Sequence, residues 1–164
     1  MSESPGVTIR PIEDPDWSAV AAIIDEVARG GQTYAMEVPG SLAEAQEFWS
    51  GQQVVVALAG DEILGTAKMG PNRPAQGSHV GTASFMVSSA ARGRGVGRAL
   101  GEYVVAWHRD RGFQAIQFNA VVETNTSAVR LWRSLGFEII GTVPNAFRLP
   151  GGEYVGLHVM HLEL

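Results

Sequence analysis

No cysteine occurs among the 164 residues, which excludes disulfides, thiolate metal sites and a cysteine nucleophile. Charge is sparse: 18% of residues are Asp, Glu, Lys or Arg, against 45% hydrophobic, a balance that fits a globular chain and neither a disordered nor a fibrous one. No apolar run approaches the ~20 residues that a membrane helix requires. The longest clear one, Val54 to Ala59, has the length of a strand. The opening residues, Met-Ser-Glu-Ser-Pro-Gly, lack the basic and apolar regions of a secretory leader. Repeats, low-complexity segments and linkers are also missing. The expectation is a single cytoplasmic domain spanning residues 1–164, with no membrane partner.

The few charges are unevenly placed. Residues 1–62 carry eleven acids and two arginines, net −9, whereas residues 63–164 carry six acids and ten bases, net +4. Seven of the twelve Lys and Arg residues fall between Arg92 and Arg133. A basic half suits a polyanionic ligand. The acidic half reads as solvated helix faces, or as a surface for a cationic substrate.

Periodicity divides the chain into alternating elements. Val7 to Ile12, Gln53 to Leu58, Glu62 to Met69, His79 to Val87 and Gln114 to Val122 read as strands, and Phe137 to Val143 with Tyr154 to Leu162 as a closing hairpin. Helices are predicted after Asp14-Pro-Asp16, from Ser41 to Trp49 with Ser41 and Glu44 in a capping box, from Val96 to Arg111, and from Asn125 to Leu135. The third helix carries an apolar stripe of Val96, Leu100, Val104 and Trp107. Gln32 to Gly40 reads as a loop. The fold class is mixed α/β.

Between the strand ending at Val87 and the helix starting at Val96 lies Arg92-Gly-Arg-Gly-Val-Gly-Arg98. Gly93, Gly95 and Gly97 strip side chains from a helix N-terminus, where orphan N–H groups and the positive end of the dipole favour phosphate. Arg92, Arg94 and Arg98 add positive charge. No Lys-Ser/Thr follows the glycines, so this is no P-loop. The dinucleotide pattern Gly-x-Gly-x-x-Gly fails as well, because its last position falls on Arg98 or Leu100. An RNA-binding Arg-Gly tract would be repetitive and disordered. This loop sits between strand and helix, and no nucleic-acid partner is expected.

The loop matches Gln/Arg-x-x-Gly-x-Gly/Ala. Downstream, Asn125-Thr-Ser-Ala128-Val-Arg-Leu131-Trp132-Arg-Ser-Leu-Gly136-Phe137 is similar to Asn-x-x-Ala-x-x-Leu-Tyr-x-x-x-Gly-Phe. In these two motifs, in this order, the chain resembles the GNAT superfamily of acetyl-CoA-dependent N-acetyltransferases. The resemblance extends to a branch that includes fungal enzymes acetylating proline analogues. It implies a mixed, mostly antiparallel sheet of six to seven strands flanked by four helices, and direct acetyl transfer from acetyl-CoA to the amine of a small, amino-acid-like molecule. No metal is implied, and homodimers are frequent in the family. Amine antibiotics, protein N-termini and a non-catalytic acyl-CoA sensor are the alternatives.

The resemblance also assigns roles to residues. The amides of Gly93, Arg94, Gly95, Val96, Gly97 and Arg98, with Arg92, would hold the coenzyme pyrophosphate. Met86 and Val87 would pair their backbone with the pantetheine arm as if it were an added strand. The Val87 N–H would face the thioester oxyanion. Asn125 is a helix N-cap, a coenzyme contact, or both, and Ser127 is a second contact. Trp132 stands where the family often has the tyrosine that protonates the thiolate. Indole delivers no proton, but a thiol of pKa ~8.5 leaves tolerably as thiolate. Trp132 therefore lines the pantetheine channel or packs as core. Read from their own places in the chain, Asn119 in its apolar strand would orient the amine or stand as a satisfied core amide, and Glu123 would act as base through water or be a solvated strand end. Thr33, Tyr34 and Glu37, on the loop between the first two helices, are the candidate acceptor contacts.

Overall fold

The computed structural model describes residues 6–164. The opening Met-Ser-Glu-Ser-Pro stretch, part of the leader reading, lies outside them. Seven strands form one sheet in the order β1-β2-β3-β4-β5-β7-β6. They are β1 Thr8–Pro11, β2 Gln53–Ala59, β3 Glu62–Pro71, β4 Val80–Val87, β5 Ala115–Val122, β6 Glu138–Arg148 and β7 Tyr154–Glu163. All neighbours are antiparallel except β4 and β5, which are parallel. The helices are α1 Trp17–Gly30, α2 Leu42–Phe48, α3 Val96–Asp110 and α4 Thr126–Ser134. The mixed, mostly antiparallel architecture is the one expected.

The sheet separates two packed layers. Val20, Ile23 and Ile24 of α1 bury with Trp49, Val54, Val56 and Met86 on one face. On the other, the expected α3 stripe of Val96, Leu100, Val104 and Trp107 packs on Val55, Ala57, Leu64 and Ala67. Alternation along β2 thus sends odd and even residues to opposite cores. A third cluster, under α4, joins Ile116, Phe118, Trp132, Phe137 and Met160.

Local chemistry sets the element ends. Gly31, at φ 64°, closes α1. Ser41 caps α2 by accepting from the Glu44 N–H at 3.1 Å. The Glu44 carboxylate accepts instead from Gly40 N–H at 2.7 Å, one residue short of the expected reciprocal box. β6 runs past Val143 to Arg148 because a bulge absorbs Pro144 to Ala146: its register passes from Val143↔Leu157 to Phe147↔Val155. Phe147 is thereby buried.

Gly81 is required where β4 meets α3, since a Cβ there would stand 2.1 Å from His108 Cδ2. His108 is fully buried. Its Nδ1 lies 2.8 Å from Val104 C=O, and its Nε2 completes no hydrogen bond among the described residues. Desolvation lowers its pKa, whereas an unfolded histidine titrates near ~6.5. Below that pH the unfolded chain takes up a proton that the folded chain refuses, so stability present above ~6.5 declines on acidification. A Tm series from pH 7.5 to 5.5 should fall in the wild type and fall less in His108→Met.

Candidate active site

Between β4 and α3 the chain makes a 3-10 turn at Ser89–Ala91, started by Ser88, whose Oγ accepts from Ala90 N–H. Gly93 and Gly95 then adopt φ of 72° and 74°, a left-handed backbone that only glycine takes at no steric cost. A Cβ at either position would meet nothing within 4 Å, so this face of the loop is open. Gly95 caps α3 without any side-chain bond. The N–H groups of Gly93, Gly95, Val96, Gly97 and Arg98 find no acceptor among the described residues. Five unclaimed donors at the positive end of a 15-residue helix form a cradle for a polyanion.

The cradle opens onto a split in the sheet. β4 and β5 pair only at Val80↔Ala115 and Gly81↔Ile116 and then separate, leaving one edge of β4 exposed to a cavity of about 940 Å³. Main-chain polarity shows which β4 residues serve that edge. Ser88 N–H donates to Leu64 C=O of β3 at 2.8 Å, and Val80 C=O accepts from Asn72 N–H on the same side. Phe85 is the reverse case: its N–H and C=O both meet the Tyr34 hydroxyl, at 2.9 and 2.7 Å. By alternation Val87 points its N–H and C=O into the cavity, and Met86 points them at β3. Pantetheine pairing by the Met86 backbone is therefore corrected. Met86 belongs to the β3 ladder and to the core, whereas Val87 has the free edge.

The cavity brings together much of the predicted set: Met86, Val87, Arg92, Gly93, Gly95, Val96, Gly97 and Arg98, with Asn125, Ser127, Trp132, Thr33, Tyr34 and Asn119. Arg94, Glu37 and Glu123 do not line it. Arg94 and Glu37 are exposed, and the Arg94 amide, expected in the cradle, instead donates to Ala91 C=O at 3.1 Å within the turn. Glu123 serves the sheet, because its Oε1 accepts from Gly156 N–H of β7 at 2.6 Å, continuing the ladder where β5 ends. A base role for Glu123 and an acceptor contact for Glu37 thus have no geometric support.

Other predicted residues take specific places. Asn125 occupies the N-cap position of α4 but makes no capping bond; its Oδ1 instead accepts from Ser127 Oγ at 3.3 Å. Arg98 leans toward α4, donating to Ser134 Oγ at 2.7 Å. Trp132 packs as core and also borders the cavity. It is 6% exposed, packs on Phe85 and Phe118 at centroid distances of 4.5 and 5.0 Å, and its ring walls the cavity. Asn119 is exposed, donates to Asn72 Oδ1 at 2.7 Å and accepts from Gln117 Nε2 at 2.9 Å.

Tyr34 spans 51 residues to reach Phe85. Burial pushes its phenol up to about 12, so it stays neutral at working pH and acts as a hydrogen-bonding group. Sequence reasoning missed two further residues of the site. The Glu26 carboxylate of α1 accepts from Ser89 N–H at 2.8 Å and holds the turn below the cradle. Lys68 of β3 lies across from Ser84 on the α1 and α2 side and also lines the cavity. Its lone position in an apolar strand was the available signal. Among the described residues no group of three or more His, Asp or Glu is placed to hold a metal ion, and no helix is long and apolar enough to cross a membrane.

Comparison with known proteins agrees with this geometry. The model of the Acetyltransferase (GNAT) family matches residues 17–137. A solved GCN5-related N-acetyltransferase from Kribbella flavida is 51% identical and superposes with a TM-score of 0.93, covering 98% of this chain and 100% of that one. The N-acetyltransferase aca1 of Schizosaccharomyces pombe is 29% identical over 79% of this chain and 71% of its own length. The L-methionine sulfoximine/L-methionine sulfone acetyltransferase of Pseudomonas aeruginosa is 30% identical over 96% of this chain and 94% of its own. With an anion cradle before α3, a split between β4 and β5 and a family match that spans both, the chain belongs to the GNAT family of acetyltransferases.

Proposed function

We propose that this protein moves the acetyl group of acetyl-CoA to the amine of a small, amino-acid-like molecule, both bound at once, in the cytoplasm. The observation that carries this reading is the continuity of the unclaimed N–H groups of Gly93, Gly95, Val96, Gly97 and Arg98 with the open edge of β4. When bound, acetyl-CoA supplies an activated acetyl carbon as a thioester. The cradle and Arg92 would hold its diphosphate, with Asn125 and Ser127 beside it, while Val87 C=O would accept from an amide N–H of the pantetheine arm and Val87 N–H would face the thioester oxygen. Trp132, Phe85 and Phe118 keep that channel apolar and exclude water.

In the transfer, the acceptor nitrogen bonds to the acetyl carbon, the carbon–sulfur bond breaks, and the electron pair leaves on sulfur. Negative charge builds on the carbonyl oxygen, where an N–H donor on the β4 edge would stabilise it. An α-amino group has a pKa of ~8, so holding it neutral at pH 7 costs about 1.4 kcal/mol. Solvent then takes the proton lost on attack, and positioning supplies most of the rate. L-Methionine sulfoximine, the substrate named for the Pseudomonas relative, is an α-amino acid, which supports that acceptor class.

Thiol release from acetyl-CoA, measured against a panel of amino acids, aminoglycosides and peptide N-termini, tests the proposal. Release with acetylated product is expected for an amino acid. Binding of acetyl-CoA without release by any amine would contradict it.

A further inference from the structure

Lys68 is the one lysine in a sequence with eleven arginines, and its surroundings are unusual for a lysine. It sits mid-strand in β3, paired with Ser84 of β4 and Val54 of β2, on the face where α1 and α2 pack. The ammonium lies over the rings of Phe48 and Trp49, 4.9 and 5.2 Å from their centroids. It donates to Phe48 C=O at 2.8 Å. Of its three donors this satisfies one. Among the described residues no carboxylate lies within 4 Å of it, although Arg10 has two and Arg29 and Arg98 one each. Half-burial without a counter-charge pushes its pKa down.

A half-buried cation that no acid in the fold neutralises is costly unless a ligand pairs with it. The same cavity carries Ser84, Tyr34 and Asn119. Ser84 shares the Lys68 face by register. Asn119 joins them because Ile116 and Phe118 turn toward α4, which sends Gln117 and Asn119 to the opposite side. The pocket on this face is therefore polar, cationic and lined by aromatic rings, and it lies across β4 from the α3 core.

We propose that Lys68 is the specificity-determining residue of the acceptor pocket, pairing its ammonium with a carboxylate of the incoming amine so that amino acids are chosen over simple amines. Phe48 and Trp49 hold the lysine stem and partly desolvate the charge, which strengthens its pull on an anion. This rests on the acetyltransferase reading above and names the group that recognises the acceptor.

The test compares L-methionine sulfoximine with its methyl ester, which keeps the amine and loses the negative charge. In the wild type the free acid should have the lower KM. Lys68→Gln should raise the KM for the acid about 10- to 100-fold, the worth of a charge-assisted pair. The KM for the ester and for acetyl-CoA should change less than about 3-fold, and Lys68→Arg should recover part of the loss. A purely structural role, capping the end of α2, would instead shift both acceptors equally and lower Tm. A second readout is independent of turnover: with lysine-labelled protein, the single Nζ signal should shift on adding L-methionine sulfoximine and not on adding its ester. Equal KM values for acid and ester in wild type and Lys68→Gln would overturn the assignment while leaving acetyl transfer intact. Absence of any acetylated product would overturn the underlying reading, and the assignment with it.

Discussion

Val87→Pro is expected to fold and to lose about 100- to 1,000-fold in kcat, the cost of removing one oxyanion donor. The argument rests on which way the β4 backbone points. Val87 N–H faces the split between β4 and β5, so proline there removes no bond of the β3–β4 ladder, and edge positions of this kind tolerate proline. What disappears is the donor offered to the coenzyme, and KM for acetyl-CoA should rise with it. Met86→Pro is the counterpart. It deletes an N–H directed at β3 in a residue 2% exposed and should fail to give folded protein. Equal stability losses at the two positions would refute the assignment of the free edge.

Gly97→Glu should move stability and binding in opposite directions. Gly97 lies in the first turn of α3, and a Cβ there would make an ordinary contact with Leu131 Cδ2 at 3.4 Å. Replacing a helical glycine gains about 0.5–1 kcal/mol, and an acid in the first turn adds about 0.3–1 kcal/mol against the dipole. The same carboxylate would stand at the cradle and repel a diphosphate. At ~5 Å and an effective dielectric of ~20 the repulsion is about 3 kcal/mol per charge pair, or about 100-fold in Kd. A higher Tm with acetyl-CoA affinity lost is the expected pair of results, read by calorimetric titration and thermal melting. A Tm raised with affinity unchanged would place the diphosphate elsewhere.

The parts of this site that were legible in the sequence are those written locally. Gly93 and Gly95 announce a left-handed turn before a helix, and the Val96–Trp107 stripe announces which side of α3 is buried. Order along the chain then places the cradle at the end of β4. What stayed hidden depends on partners distant in sequence. Nothing near Tyr34 marks it as the hydroxyl that closes the Phe85 backbone. Glu123 looked available at a strand end, but a Gly156 N–H on β7 claims it. Met86 and Val87 are alike as apolar neighbours, and only the β3 register separates the buried main chain from the free one. The surroundings of Lys68 are assembled from α2, β3 and β4 together, so no local stretch of sequence displays them.

Amide hydrogen exchange, followed with and without saturating acetyl-CoA, measures the central claim at the atoms concerned. The N–H groups of Gly93, Gly95, Val96, Gly97 and Arg98 have no acceptor among the described residues and should exchange rapidly in the free protein. Coenzyme should slow these five and Val87 together, at least 10-fold, while the β1–β2 ladder stays unchanged. Saturable binding that leaves those five amides exchanging at their free rates would contradict the account.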